Sequence, residues 1–157
     1  MLVRKATSSD EQQILDCLRA AFQPYESSYA AAAYEDTVLT PETFQRRLAE
    51  MCIFVAVDES GDVAGTVACQ AVGNGEGHVR GMAVHPDWQG HGIAEQLLNA
   101  VERELRKRQC TTISLDTTAP LERAIRFYEK RGFRASGRVV DFFGMPLYEY
   151  VKELKVE

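Results

Sequence analysis

Gly90 and Gly92 stand on either side of His91 in HPDWQGHGIAEQLL (residues 85–98), between the only tryptophan, Trp88, and an apolar helical run. Glycine weakens ordered structure unless the backbone needs its freedom, so the pair asks for a reason. The first N–H groups of a helix have no partner inside it, and the helix dipole adds partial positive charge at the same end. Bare backbone there lets a ligand reach those N–H groups, and phosphate or pyrophosphate is the usual occupant. Two specific phosphate-binding patterns are excluded. No Gly-Lys with a following Ser or Thr is present, as a Walker A loop requires, and residues 90–95 read GHGIAE, without the third glycine of a dinucleotide fingerprint. Glycine spacing alone leaves an anion site and a simple tight turn both open.

The elements around this stretch suit an anion site. The strand VRGMAV, stopped by Pro86, feeds it, and the helix after it carries Ile93, Leu97, Leu98, Val101 and Leu105 at helical spacing. Upstream, MLVRKA reads as a first strand, and TSSDEQQILDCLRAAF as a helix capped by Ser8, Ser9 or Asp10, with Ile14, Leu15, Leu18 and Phe22 as its stripe. QPYESSYAAAAYEDTVLT reads as an irregular connection by its flanks, though its alanines could form a helical turn, and PETFQRRLAE as a helix with Thr40 before Pro41 at its first position. CIFVAVDESGDVAGTVACQAV is a hairpin turning at DESGD. Downstream come the strand CTTISLDT, the helix PLERAIRFYEKRGF stopped by Gly132, and two strands around FFGMP. The order is β-α-α-β-β-β-α-β-α-β-β, a mixed α+β domain around one sheet.

The totals agree with one domain over residues 1–157, since 157 residues suffice for a single buried core. A net charge of −5 argues against a nucleic-acid binder that relies on a basic surface. Cys17, Cys52, Cys69 and Cys110 form no CxxC pair, which predicts reduced, buried thiols and no metal site. There is no signal-peptide pattern and no apolar run near the roughly 20 residues that span a bilayer, so a cytoplasmic protein with no membrane contact is expected.

QGHGIA at residues 89–94 fits (Gln/Arg)-x-x-Gly-x-(Gly/Ala). With MAVHPDWQ before it and AIRFYEKRGF after it, the chain resembles the GCN5-related N-acetyltransferase (GNAT) superfamily, most strongly over residues 76–134. The resemblance implies a mostly antiparallel twisted sheet of about seven strands with one splayed pair, flanked by about four helices. It implies acetyl-CoA as cofactor, with CoA as product. The pyrophosphate would lie on the backbone of Gln89, Gly90, His91, Gly92, Ile93, Ala94 and Glu95, and the pantetheine arm along Met82, Ala83 and Val84 of the splayed strand. Pantetheine amides can extend a sheet edge as an added strand does.

Tyr128, four residues after Ala124, matches the family tyrosine that hydrogen-bonds or protonates the CoA sulfur. A phenol of ordinary pKa about 10 is a suitable donor to a thiolate of similar basicity; a purely structural aromatic on the face of Leu121 and Ile125 is the alternative. His78, in GHVRGMAV, stands where family members often carry a glutamate base. An imidazole of ordinary pKa about 6.5 can take a proton from an ammonium. Glu76 acting through water, or no dedicated base, remain alternatives. Leu121 departs from the asparagine often found three residues before the alanine. Arg123, Arg126 and Lys130 stand within reach of phosphates or form a solvated basic face.

In the family the acceptor binds at the segment between the first two helices and at the last hairpin. There Tyr25, Glu26, Tyr29, Tyr34, Glu35, Asp36, Asp141 and Phe142 make an acidic and aromatic set suited to a cationic amine. The expected function is acetyl transfer to a small-molecule primary amine in a ternary complex. A non-catalytic CoA-binding sensor, or an acetyltransferase for a protein N-terminus or lysine, are the alternatives. A homodimer is left open.

Overall fold

The computed structural model of the protein describes residues 1–119 and 121–155. Pro120, expected to open the last helix, lies outside the described residues. Seven strands form one sheet: β1 (Leu2–Lys5), β2 (Cys52–Val57), β3 (Val63–Gly73), β4 (Glu76–Val84), β5 (Thr112–Thr117), β6 (Arg134–Phe142) and β7 (Met145–Glu153), in the order β1-β2-β3-β4-β5-β7-β6. The β4–β5 pair is parallel and the others antiparallel. Five helices accompany them: α1 (Glu11–Phe22), α2 (Ala31–Val38), α3 (Pro41–Glu50), α4 (Ile93–Lys107) and α5 (Glu122–Lys130).

Strand alternation divides the core in two. On β2, Ile53, Val55 and Val57 face α1, α2 and α3, where Ile14, Leu18, Val38 and Phe44 are buried. Phe54 and Ala56 face α4, and the whole stripe of that helix, Ile93, Leu97, Leu98, Val101 and Leu105, is buried against them. Each such aliphatic side chain contributes about 1.5–3 kcal/mol on full burial. Cys17, Cys69 and Cys110 are buried, Cys52 is half-buried, and all four thiols are free.

Local chemistry sets the ends of the elements. Thr40 accepts from the Thr43 N–H at 3.2 Å, capping α3. Asp10 accepts from the Thr7 N–H at 2.8 Å and from both terminal nitrogens of Arg4, joining β1 to the start of α1. Gly132, at φ +93°, follows α5 and donates to the Glu129 carbonyl. One more helix forms than the sequence reading counted. Residues 31–38, read as an irregular connection, are α2, because three consecutive alanines favour helix and Ala33 and Val38 bury a short apolar face.

Two irregularities of β4 shape the site. A bulge places Gly81 and Met82 opposite Val67 alone, with Gly81 at φ +71°. β4 pairs with β5 only from Glu76 to Val79. Beyond Val79 the two strands part, β5 continuing alongside β7 while the β5-facing edge of β4 is left without a strand. No helix among the described residues is long and apolar enough to cross a membrane.

Candidate active site

A cavity of about 920 Å³ opens where β4 and β5 part. Its wall on the α4 side is made of backbone. Met82, Ala83 and Val84 lead through a turn, in which His85 Nδ1 accepts from the Asp87 N–H at 3.1 Å, to the start of α4. Gly90 (φ +84°) and Gly92 (φ +76°, the residue before α4) take the left-handed conformation that glycine favours, and a Cβ on either would point into open space. The N–H groups of the first turn, at Ile93, Ala94 and Glu95, are the ones a helix cannot satisfy internally. A free strand edge running into an unobstructed helix start fits an extended ligand that carries amides and ends in an anion. Acetyl-CoA has both.

Side chains brace this wall. Gln89 donates to the Val84 carbonyl (3.3 Å) and accepts from Arg123 (3.1 Å), tying the end of β4 to α5. Glu95 is ion-paired with Arg131. Arg123, Lys130 and Arg131 put cations on the rim, whereas Arg126 does not line the cavity. Trp88 lines the cavity, and His91 stands edge-on to it at 5.4 Å without lining the cavity itself.

Tyr128 faces the cavity from α5, 6% exposed, between Phe127 and Phe133 at centroid distances of 5.5 and 5.6 Å. Burial pushes its phenol well above the ordinary value, so the hydroxyl keeps its proton at neutral pH. On the same face of the sheet, the buried Thr117 hydroxyl has no hydrogen-bond partner among the described residues and also lines the cavity. A buried hydroxyl without a partner at this place suits a ligand with polar atoms of its own.

The opposite face of the sheet, under α2 and α3, carries side-chain chemistry. His78 Nδ1 lies 3.0 Å from Ser114 Oγ, and Nε2 lies 3.8 Å from an Asp116 carboxylate oxygen. Burial lowers the His78 pKa below its usual value; Asp116 works against that and Arg80 with it. Arg80 bonds Asp36 of α2 at 3.2 Å. Arg47 of α3 reaches the bulge, where a Cβ on Gly81 would lie 2.6 Å from its Nη1. Tyr29 and Thr118 bond through their hydroxyls at 2.9 Å, joining the segment before α2 to the end of β5.

Of the residues expected at the site, Tyr25, Tyr29, Asp36, His78, Met82, Ala83, Val84, Gln89, Gly90, Gly92, Ile93, Ala94, Glu95, Tyr128 and Phe142 line this one cavity. His91, Glu26, Tyr34, Asp141 and Glu76 are not among its lining residues. Asp141 instead accepts from the Gly144 N–H at 3.3 Å in the turn between β6 and β7. Sequence reasoning missed Arg47, Asp116, Thr117 and Arg131. A signal existed for two of them. Arg47 follows buried Phe44 by three residues, which puts it on the inward face of α3. Asp116 lies two residues from Ser114 on a strand whose other face is apolar.

Among solved structures, the PaiA N-acetyltransferase of Thermoplasma acidophilum, determined in complex with coenzyme A, superposes with a TM-score of 0.81 at 15% identity, over 97% of this chain and 98% of that one. A GNAT-family acetyltransferase of Staphylococcus aureus Mu50 gives 0.79 at 17%, over 98% and 99%. The ribosomal-protein-S18-alanine N-acetyltransferase of Escherichia coli gives 0.77 at 20%, over 99% and 95%. At these identities the likeness is one of fold. Residues 12–133, most of the chain, match the Acetyltransferase (GNAT) family, and the protein belongs to that family.

Proposed function

We propose that the protein transfers an acetyl group from acetyl-CoA to a primary amine of a small molecule, by direct attack within a ternary complex. The observation that carries this reading is the single cavity at the parted strands, with a backbone anion site at one end and Tyr128 and His78 on its two walls. Acetyl-CoA, when bound, supplies a thioester carbonyl for attack and a thiolate as leaving group.

The chain's own groups divide the remaining work. The glycine turn and the first turn of α4 hold the pyrophosphate, and the free edge of β4 aligns the pantetheine amides. A backbone N–H on that edge stabilises negative charge on the carbonyl oxygen. Tyr128 donates its proton to the departing sulfur. Ser114 Oγ lies 3.4 Å from the Gly77 carbonyl, to which it donates; the Ser114 oxygen is then left to accept from His78 Nδ1–H. This tautomer leaves a lone pair on Nε2, which takes the proton of the acceptor ammonium, and Asp116 stabilises the imidazolium that results.

The test incubates the protein with acetyl-CoA and a panel of small amines, peptides with free N-termini and lysine peptides, and measures free thiol. Release with small amines supports the proposal. Release with peptides alone moves the acceptor to protein. CoA binding without thiol release across the panel leaves a CoA sensor in place of an enzyme.

A further inference from the structure

Arg47 is the one guanidinium on the acceptor wall that no carboxylate bonds among the described residues. It lines the cavity, half-buried, and makes no hydrogen bond or ion pair among the described residues. Asp36, the acidic group that acts on it, is committed to Arg80 at 3.2 Å. Burial, assisted by Arg80, lowers the Arg47 pKa to about 10, so it remains a cation at neutral pH. A charge withdrawn from water without a partner is unfavourable, and a ligand carrying the opposite charge relieves that. The Arg80–Asp36 pair is neutral, and Arg47 adds one positive charge beside it, which suits a single carboxylate.

Position separates this cation from the CoA phosphates. α3 packs on the face of the sheet opposite α4, whose N-terminus forms the anion site. Arg47 lies beside Gly81 in the bulge, three residues along β4 from His78, and both side chains line the same cavity. A small molecule with an amine at His78 and an anion at Arg47 spans that interval.

We propose that the acceptor is an amino acid or similar amino-carboxylate, whose carboxylate is received by Arg47. The proposal rests on the acetyl-transfer reading for its amine but not for its anion. Arg47 supplies a planar fork for bidentate contact, and Tyr25 and Tyr29 supply the aromatic side of the same pocket.

Two measurements test it. In the first, thiol release is followed with free amino acids and with the corresponding amino acid amides. The expected result is a preference for the free acids in kcat/KM of roughly tenfold or more, carried by KM. Arg47→Met is expected to erase the preference and Arg47→Lys to retain part of it. Calorimetric CoA affinity and circular dichroism report whether each variant is folded. Equal use of acids and amides by the unmodified protein, or a preference that survives Arg47→Met, overturns the proposal. In the second, N-acetyl amino acids and their methylamides are titrated into the CoA-bound protein. Binding of the free acids alone, lost in Arg47→Met, supports the carboxylate site even where no amine releases thiol, in which case the transfer reading fails and this one stands. Thiol release without any carboxylate preference has the opposite meaning.

Discussion

The two walls of the cavity are built from different materials. The α4 wall is backbone: a strand edge, two glycines at positive φ and the first turn of a helix, all within residues 82–95. The acceptor wall is side chain: Asp36, Arg47, His78 and Asp116 come from α2, α3, β4 and β5. A backbone site must be contiguous and leaves a local pattern of glycines. A side-chain site is assembled by folding and leaves no such pattern. Substitutions should therefore act differently on the two walls.

The largest effect is expected where bulk meets bare backbone. Gly92→Val puts a β-branched residue at φ +76° in the path of the ligand, and CoA affinity should fall by on the order of 100-fold in a calorimetric titration. An unchanged affinity would remove the helix start from the site. Tyr128→Phe should lower kcat by about 100-fold or more while CoA affinity is nearly kept; a fully active variant would mean that another group protonates the sulfur.

On the acceptor wall the expected signatures are in pH dependence. The His78 pKa lies below the ordinary histidine value, so the imidazole is neutral at pH 7 and kcat/KM should fall as pH drops through that lowered pKa. His78→Ala should remove this limb and cost about 10- to 100-fold in kcat/KM at neutral pH. The same shift bears on stability. Below about 6.5 the unfolded chain takes up a proton that the folded His78 resists, so unfolding becomes easier as pH falls through that window. Asp116→Asn removes an interaction that raises the His78 pKa, so the acid limb should move to lower pH, with a loss of only a few-fold in rate. The smallest effect returns to the backbone wall: Met82→Leu should alter CoA affinity by less than about twofold, because that residue is proposed to contribute its main chain.

The same contrast explains what could be read from residues alone. The α4 stripe, the DESGD hairpin, the Thr40 cap and the Gly132 stop all follow from neighbours in sequence, and each is found in place. α2 was read as irregular because its short apolar face, Ala33 and Val38, leaves little periodic signal, although its alanines favour helix. On the acceptor side, Tyr25, Tyr29, Asp36 and Phe142 of the expected set line the cavity. Glu26, Tyr34 and Asp141 share the chemistry of a cation site but do not line the cavity, whereas Arg47, which does, has the opposite charge. Composition near the expected place could not distinguish them. That depends on which face of α3 meets the bulge of β4.

Trp88 gives the molecule a built-in optical reporter. It is the only tryptophan in the chain, it lines the cavity next to the glycine turn, and no second indole dilutes its signal. Excitation at the red edge of protein absorbance therefore reads one position. Its emission maximum and lifetime, followed during a titration, would monitor the filling of the α4 wall without any label, in every variant that leaves the turn intact.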